Sequence, residues 1–236
     1  MAEPSVSIII PTYNEAAAIG PLVRYLRAAA GPAEQGLEIL VADGQSADAT
    51  AAEAARAGAR VLPCPQRGRA PQMNHGAAHA RGELLYFLHA DTFPPADFLP
   101  AIRQAAQQHA SGCFRLRFDS AHWFLRLSAW FTRFPFDFIR FGDQSLFVRR
   151  AVFEQAGGFR SDMLVFEDQE IVPRLRRHGR FAVLPTAVLT SARKYRDNGV
   201  FRLQGIFLLL CLLYRLGVPQ PRLRALYRAL IRQANH

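Results

Sequence analysis

The chain opens on a run of apolar, mostly β-branched residues, Val6 to Ile10, that stops at Pro11. An apolar run of this length, closed by a breaker, predicts a strand buried on both faces. Beyond it Ile19, Leu22, Val23 and Leu26 recur at helical spacing, with Asn14 as the expected N-cap and Gly31 as the stop. LEILVADG predicts a second strand ended by Asp43-Gly44, and Ser46 or Asp48 is the expected cap of an alanine-rich helix finishing at Gly58. A short strand at Arg60 to Leu62, a helix over 70–81 and a strand at Leu84 to Leu88 continue the alternation. Strand and helix at this rhythm imply an α/β fold with a mainly parallel sheet covered by helices. Ligands of such sheets sit outside the carboxyl ends of the strands, which puts Asp43 and Asp91 on one rim.

Past residue 100 the pattern loosens. Cys113 to Phe118 and Gln144 to Arg149 alternate as strands do, and Glu167 to His178 predicts a helix. Between the two strands Trp123, Leu127, Trp130 and Phe134 share a helical stripe, with Arg126 and Arg133 seven apart on another. A core-packed helix with snorkelling arginines is the default for that pattern. A lipid-facing or acceptor-binding segment over 122–141 is the alternative. Val200 to Leu216 is strongly apolar and leads into the basic RLRALYRALIR. The polar RKYRDNG ahead of it sets a boundary near residue 198, dividing a domain over 1–198 from a helical extension over 199–236. The extension, chiefly 200–232, suits a core-packing helical pair, a peripheral membrane anchor or an oligomer interface such as that of a homodimer.

Composition narrows the classes. Half of the 236 residues are apolar, which argues for a globular chain and against disorder. The net charge of +10 rests on arginine, since Lys194 is the only lysine. That excess suits a phosphate-bearing ligand, nucleic acid or an anionic membrane face. The arginines are dispersed and belong to no recognition motif, so no nucleic-acid partner is expected. Cys64, Cys113 and Cys211 form no CxxC pair, as in a reducing compartment without a zinc site. The start of the chain lacks the basic and apolar regions of a signal peptide, and Ile206 to Tyr214 is about half of a bilayer span. A cytoplasmic location is expected, with peripheral association at the inner face of the membrane as an option.

Four constellations bear chemistry. PTYNE closes the first strand with a turn in which Glu15 can accept ribose hydroxyls, although Asn-Glu there is also ordinary helix-capping chemistry. In VADGQSADAT, turn and cap chemistry accounts for Ser46 and Asp48 but leaves Asp43 for a base or ribose. In RGRAPQMNHG, Arg67 and Arg69 stand before a helix N-terminus that favours anions, and Gln72 and Asn74 add neutral hydrogen-bonding groups. In LHADT, Asp91 offers a hard oxygen for Mg or Mn, while His89 stands where a two-aspartate clamp would place its first carboxylate.

In order, PTYNE, DGxSxDxT, GRAxQMNxG, HAD, GDQSLFVRR, GGF and FEDQE resemble the bacterial family 2 glycosyltransferases of GT-A fold. They are most similar to the non-processive subgroup of radical-SAM/selenodomain-associated transferases, over roughly residues 5–197. The resemblance implies a Rossmann-like, nucleotide-diphospho-sugar transferase fold and a hexosyltransferase-type activity. It implies that Pro11, Thr12, Tyr13, Glu15, Asp43 and Ser46 hold the uracil and ribose of a UDP-sugar, and that Arg69, Gln72, Asn74 and Ala90 line the nucleotide and diphosphate. Asp91, with His89, would hold a divalent metal, Mn or Mg. Of Glu167 and Asp168 near the acceptor hydroxyl, Asp168 is the favoured general base, and one base without a nucleophile implies inversion. The QxxRW signature of processive synthases is missing, so single transfers are expected. A catalytically weak nucleotide-sugar-binding module is the alternative that the histidine at position 89 keeps open.

Overall fold

The computed structural model describes residues 5–31, 36–134, 136 and 142–232. Its centre is β1 (Val6–Thr12), where Val6, Ile8, Ile9 and Ile10 have no exposed surface. Each such side chain stabilises the fold by about 1.5–3 kcal/mol on an extended-chain reference. Parallel partners flank it, β2 (Leu37–Asp43) on one side and β4 (Leu84–Phe87) on the other, and β3 (Arg60–Pro63) extends β2. Period-two alternation sends Ile8 and Ile10 to one face, against Ile19, Leu22 and Leu26 of α1 (Ala16–Ala30). Ile9 points to the other face, against Met73 and Ala77 of α3 (Arg69–His79). A Cβ on Gly76 would lie 2.4 Å from Ile9 Cγ2, so glycine is what lets α3 rest directly on β1.

The full sheet runs β3-β2-β1-β4-β7-β6-β8-β5. Here β7 (Leu146–Arg149) pairs antiparallel with both β4 and β6 (Ser111–Phe118), while β6 runs parallel to β8 (Phe181–Thr190). The alternating pattern does not announce β8, because Pro185 interrupts it. The structure absorbs the proline in a bulge: Phe114 pairs with Leu184 and Arg115 already with Ala187. The two-residue β5 (Thr92–Phe93) closes that edge against β8.

The remaining helices are α2 (Thr50–Arg56), α4 (Phe98–Ala106), α5 (Trp123–Phe131), α6 (Arg150–Gln155) and α7 (Glu167–Arg176), followed by α8 (Arg193–Asn198), α9 (Val200–Arg215) and α10 (Gln220–Leu230). Two local expectations change. Asn14 does not cap α1, which starts at Ala16; its side-chain oxygen accepts from Ala47 N–H instead, at 2.9 Å. Ser46 does not cap α2 either, although Asp48 accepts from Thr50 N–H at 2.9 Å and from Ala16 N–H at 3.2 Å, serving the starts of both helices.

The core-packed expectation for α5 is overturned: only Leu125 of that helix is buried, and Trp123, Leu127 and Trp130 are exposed. The 122–141 stretch continues into 135 and 137–141, which lie outside the described residues. In the C-terminal segment Leu203, Leu210, Leu223 and Ile231 form a small core of their own that also touches Phe166 and Tyr195. Phe201, Leu208, Leu212 and Leu216 of the same segment face outward. Among the described residues no helix is long and apolar enough to cross a membrane.

Candidate active site

The strand ends of β1, β2 and β4 meet at one rim, and the loops beyond them are laced together. Buried Asp43 accepts from Ser46 N–H at 3.0 Å and Ser46 Oγ–H at 2.5 Å, with Thr12 Oγ at 3.4 Å. Ser46 Oγ in turn accepts from Asn14 N–H at 2.9 Å, and Thr50 Oγ from Glu15 N–H at 2.8 Å. Gln72, buried at the start of α3, donates to the carbonyls of Thr12 and Ala42 at 2.7 Å each. One amide therefore clamps β1 to β2 just below the rim. Arg67 lies over the Tyr13 ring, 3.2 Å from its centre.

A cavity of about 270 Å³ opens on this rim. Of the residues singled out in the sequence, Pro11, Thr12, Tyr13, Glu15, Arg69, Gln72, His89, Ala90 and Asp91 line it. Asp43 and Ser46 are not in the lining; they brace the loop behind Thr12. Asn74 is also outside it, holding Phe159 by a two-way amide pair at 2.7 and 2.9 Å. Glu167 and Asp168 begin α7 nearby, with Glu167 buried 3.7 Å from the Arg69 guanidinium.

Several lining residues escaped the sequence: Asp143, Thr190, Ser191, Arg193, Lys194, Tyr195 and Phe207. Asp143 stands within the GDQ signature, so its motif was visible although its role was not. The others arrive from the end of β8, from α8 and from α9, whose placement depends on the bulged strand. They add two cations, Arg193 and Lys194, to Arg69 in the cavity lining, and Arg193 lies 3.9 Å from Glu15.

Charge at the centre is tightly coupled. His89 Nδ1 lies 3.2 Å from Asp143 Oδ1. Burial and then Arg69 push the His89 pKa down, but the hydrogen bond and charge of Asp143, with Asp168, outweigh them and leave it raised. Burial likewise pushes the Asp143 carboxyl up, yet the His89 bond and charge, then Lys194 and Arg69, hold it well below the usual carboxylate range. Asp168 goes the other way: burial first, then the Glu167 carboxylate, raise it to about 7. Two carboxylates with opposed shifts beside a cationic cavity mark a candidate site for acid–base chemistry.

Among the described residues no three His, Cys, Asp or Glu side chains gather into a protein-only metal cage. Mg²⁺ or Mn²⁺ completed by phosphate oxygens and water needs only one or two protein carboxylates. Asp91 at the cavity wall supplies one. His89, its Nδ1 engaged by Asp143, keeps Nε2 as a donor, the arrangement by which a carboxylate orients a metal-binding imidazole. The residues therefore fit an ion completed by its substrate and not a closed structural site.

Backbone strain gathers at the same place. The non-glycine residues with left-handed φ among the described residues are Asn14 (53°), Gln45 (65°), Ser145 (61°) and Phe166 (65°). Each adjoins a rim loop or the start of α7, where such conformations persist only if the surroundings impose them.

Comparison with known proteins gives the family and the fold. A family model described as glycosyl transferase family 2 matches residues 7–161. The undecaprenyl-phosphate 4-deoxy-4-formamido-L-arabinose transferase of Sodalis glossinidius (strain morsitans) is 28% identical over 196 residues, covering 80% of this chain and 57% of that protein. The chain thus spans little more than half the length of that relative. Mannosyltransferase PcManGT from Pyrobaculum calidifontis, in complex with GDP-Man and Mn²⁺, superposes with a TM-score of 0.74 at 21% identity, over 97% of this chain and 71% of that one. Glucosyl-3-phosphoglycerate synthase from Mycobacterium tuberculosis, in complex with Mn²⁺, UDP and glucosyl-3-phosphoglycerate, gives 0.61 at 18% identity, over 92% and 81%. S. aureus TarS 1-349 with UDP-GlcNAc gives 0.64 at 16% identity, over 89% and 66%. At these identities the likeness shows the fold, which is the GT-A arrangement that the family resemblance implied.

Proposed function

The chain belongs to glycosyl transferase family 2, and from that premise we propose that it is an inverting, non-processive glycosyltransferase moving a sugar from a UDP-sugar to an acceptor hydroxyl. The observation that supports this best is the pairing of a rim cavity lined by Arg69, Arg193 and Lys194 with a carboxylate, Asp168, held near neutrality at the start of α7.

In this proposal the Pro11–Glu15 turn and the loop braced by Asp43 and Ser46 hold the base and ribose, with Glu15 accepting from ribose hydroxyls. Arg69, Arg193 and Lys194 face the diphosphate and stabilise the negative charge that grows on it as the anomeric bond breaks. Asp168 takes the proton of the acceptor hydroxyl while its oxygen bonds to the anomeric carbon from the side opposite the leaving nucleoside diphosphate. Attack and departure on opposite faces invert the centre. Asp91, with His89 beside it, is the residue that would hold Mg²⁺ or Mn²⁺, whose contribution when bound is to neutralise the diphosphate. His89 in turn is oriented by Asp143. Solved neighbours crystallised with UDP or GDP-Man and Mn²⁺ are in keeping with a nucleotide-sugar donor. We place the enzyme in the cytoplasm at the inner face of the membrane, and the exposed apolar surface of α5 and α9 supports the peripheral contact.

A thermal-shift panel of nucleotides and nucleotide sugars, with and without Mn²⁺, tests the donor. A ligand at a hundred times its Kd should stabilise the fold by about 2.7 kcal/mol, and the uridine compounds should give the largest shift. If none of them moves the midpoint, the donor assignment is wrong. Binding without release of UDP to any acceptor would select the alternative, a nucleotide-sugar-binding module.

A further inference from the structure

A second cavity, of about 570 Å³, lies between β6, β8 and α5. It is separate from the rim cavity yet adjoins it: Phe118 lines the second, Tyr195 the first, and their rings meet edge-on with centroids 5.4 Å apart. Four arginines line it, and no acidic side chain does so among the described residues. Arg115 and Arg117 come from alternate positions of β6 and so share a face, while Arg126 and Arg133 come from α5 and its end. The rest of the wall is largely apolar, with Leu116, Trp130, Pro185 and Ala187 prominent.

These guanidinium groups are not explained by the fold. Arg115 buries its Nε without a hydrogen-bond partner. Neither Arg115, Arg117 nor Arg126 has a carboxylate partner among the described residues, although Asp119, nearby in the chain, pairs with Arg196. A buried guanidinium nitrogen with nothing to donate to costs stability, and repulsion among neighbouring cations adds to that cost. Arg133 is held in place, its Cζ 4.5 Å from the centre of the Trp130 ring and its Nε–H on the Trp130 carbonyl at 3.0 Å. The end of α5 is itself fixed over the strand, since Thr132 Oγ accepts from Leu116 N–H at 3.0 Å. The cavity is thus preformed, cationic at several points and greasy between them.

Its outer side carries the exposed aromatic face of α5. Trp123 is 62% exposed, Phe131 47% and Leu127 44%, and Phe201 of α9 joins them with its ring 5.1 Å from that of Phe124. Arginine forks match the oxygens of a phosphate, and a wall of this kind matches hydrocarbon.

We propose that this cavity binds a phosphomonoester borne on an apolar chain, the arginines of β6 and α5 taking the phosphate and the Trp130 side of α5 taking the chain. The inference stands on the second cavity alone and does not depend on the reaction proposed for the first.

Isothermal titration of the full chain with decyl phosphate below its micelle concentration, and with inorganic phosphate, tests it. Decyl phosphate is expected to bind one to one, and more tightly than inorganic phosphate. Replacing both Arg115 and Arg126 by Gln should weaken it by about tenfold or more, since hydrogen bonds to charged groups are the strong ones. An equal loss of charge on α10, Arg222→Gln with Arg224→Gln, should leave the affinity unchanged. Arg126→Gln alone, at an exposed position, repeats the test should the double variant not fold. Flotation with phosphatidylcholine vesicles carrying roughly a fifth phosphatidic acid, or phosphatidylglycerol at equal surface charge, separates a phosphomonoester site from a merely anionic surface. Greater recovery on phosphatidic acid supports the site. Equal recovery on both lipids, equal weakening by the α10 variant, or no decyl phosphate binding would overturn the proposal, whatever the nucleotide panel shows.

Discussion

The two cavities share a wall at Phe118 and Tyr195 but handle charge in opposite ways. On the rim the charged groups answer one another: Arg193 lies near Glu15, Asp143 holds His89, and Arg69 approaches buried Glu167. Under α5 the arginines meet no carboxylate among the described residues. Paired charges fix geometry and pKa values, which serves a reaction. Unpaired charges on a preformed wall leave attraction unsatisfied, which serves capture of an anion. Neighbouring pockets of one sheet can thus be told apart by the partners their side chains already have.

The largest effect that would break this contrast is expected at Asp168. Asp168→Asn should lower kcat by about 10²–10⁴-fold, the usual worth of a positioned base, while calorimetric UDP affinity stays unchanged. A variant that lost nucleotide binding in parallel would move Asp168 from chemistry to architecture. The same residue sets the pH profile. Its folded pKa is raised to about 7, so kcat should rise about tenfold per pH unit below that value and level off above it. Stability moves the other way: the contribution of the protonated carboxyl is complete below the ordinary range near about pH 4 and is lost as pH climbs through about 7. Activity and thermal midpoint measured over that interval should therefore diverge, and Asp168→Asn should flatten both trends.

A smaller effect should follow at Gln72, whose amide joins the carbonyls of Thr12 and Ala42. Gln72→Leu should cost about 1–3 kcal/mol of unfolding free energy, at about 2–4 °C of Tm per kcal/mol for a chain of this size. The smallest is expected at Arg193, which lies 3.9 Å from Glu15 and is 42% exposed in its side chain. Arg193→Gln should change stability by less than about 1 kcal/mol yet raise the Kd for UDP. Chemical denaturation beside titration checks both halves. A large stability loss without a change in Kd would make the pair a structural one.

Much of the fold was legible because β1, β2 and β4 are buried on both faces and so read as unbroken apolar runs ending in polar loops. The same logic put Asp43 and Asp91 at one rim and the family resemblance added Tyr13, Arg69 and His89; all but Asp43, which braces the loop behind Thr12, line the cavity. What stayed hidden depends on pairing far along the chain. Pro185 masks β8, and with it the arrival of Thr190, Arg193 and Lys194 at the cavity. The partnership of His89 with Asp143 spans 54 positions and leaves no local signal. For Asn74 the family pattern suggested a ligand contact, whereas its amide fits the Phe159 backbone, a geometry that spacing alone does not encode. The stripe on α5 misled for another reason: periodicity reports that a face is apolar, not what covers it.

The left-handed residues around the rim have a consequence for anyone redesigning the molecule. Asn14, Gln45, Ser145 and Phe166 hold conformations that glycine adopts without penalty. A library selected for heat resistance alone should drift toward glycine at those positions, most readily at bulky Phe166, and would slacken the loops that give the rim its shape. Breeding for endurance and breeding for turnover would pull this backbone in different directions, and the divergence should appear at these four codons before it appears in the core.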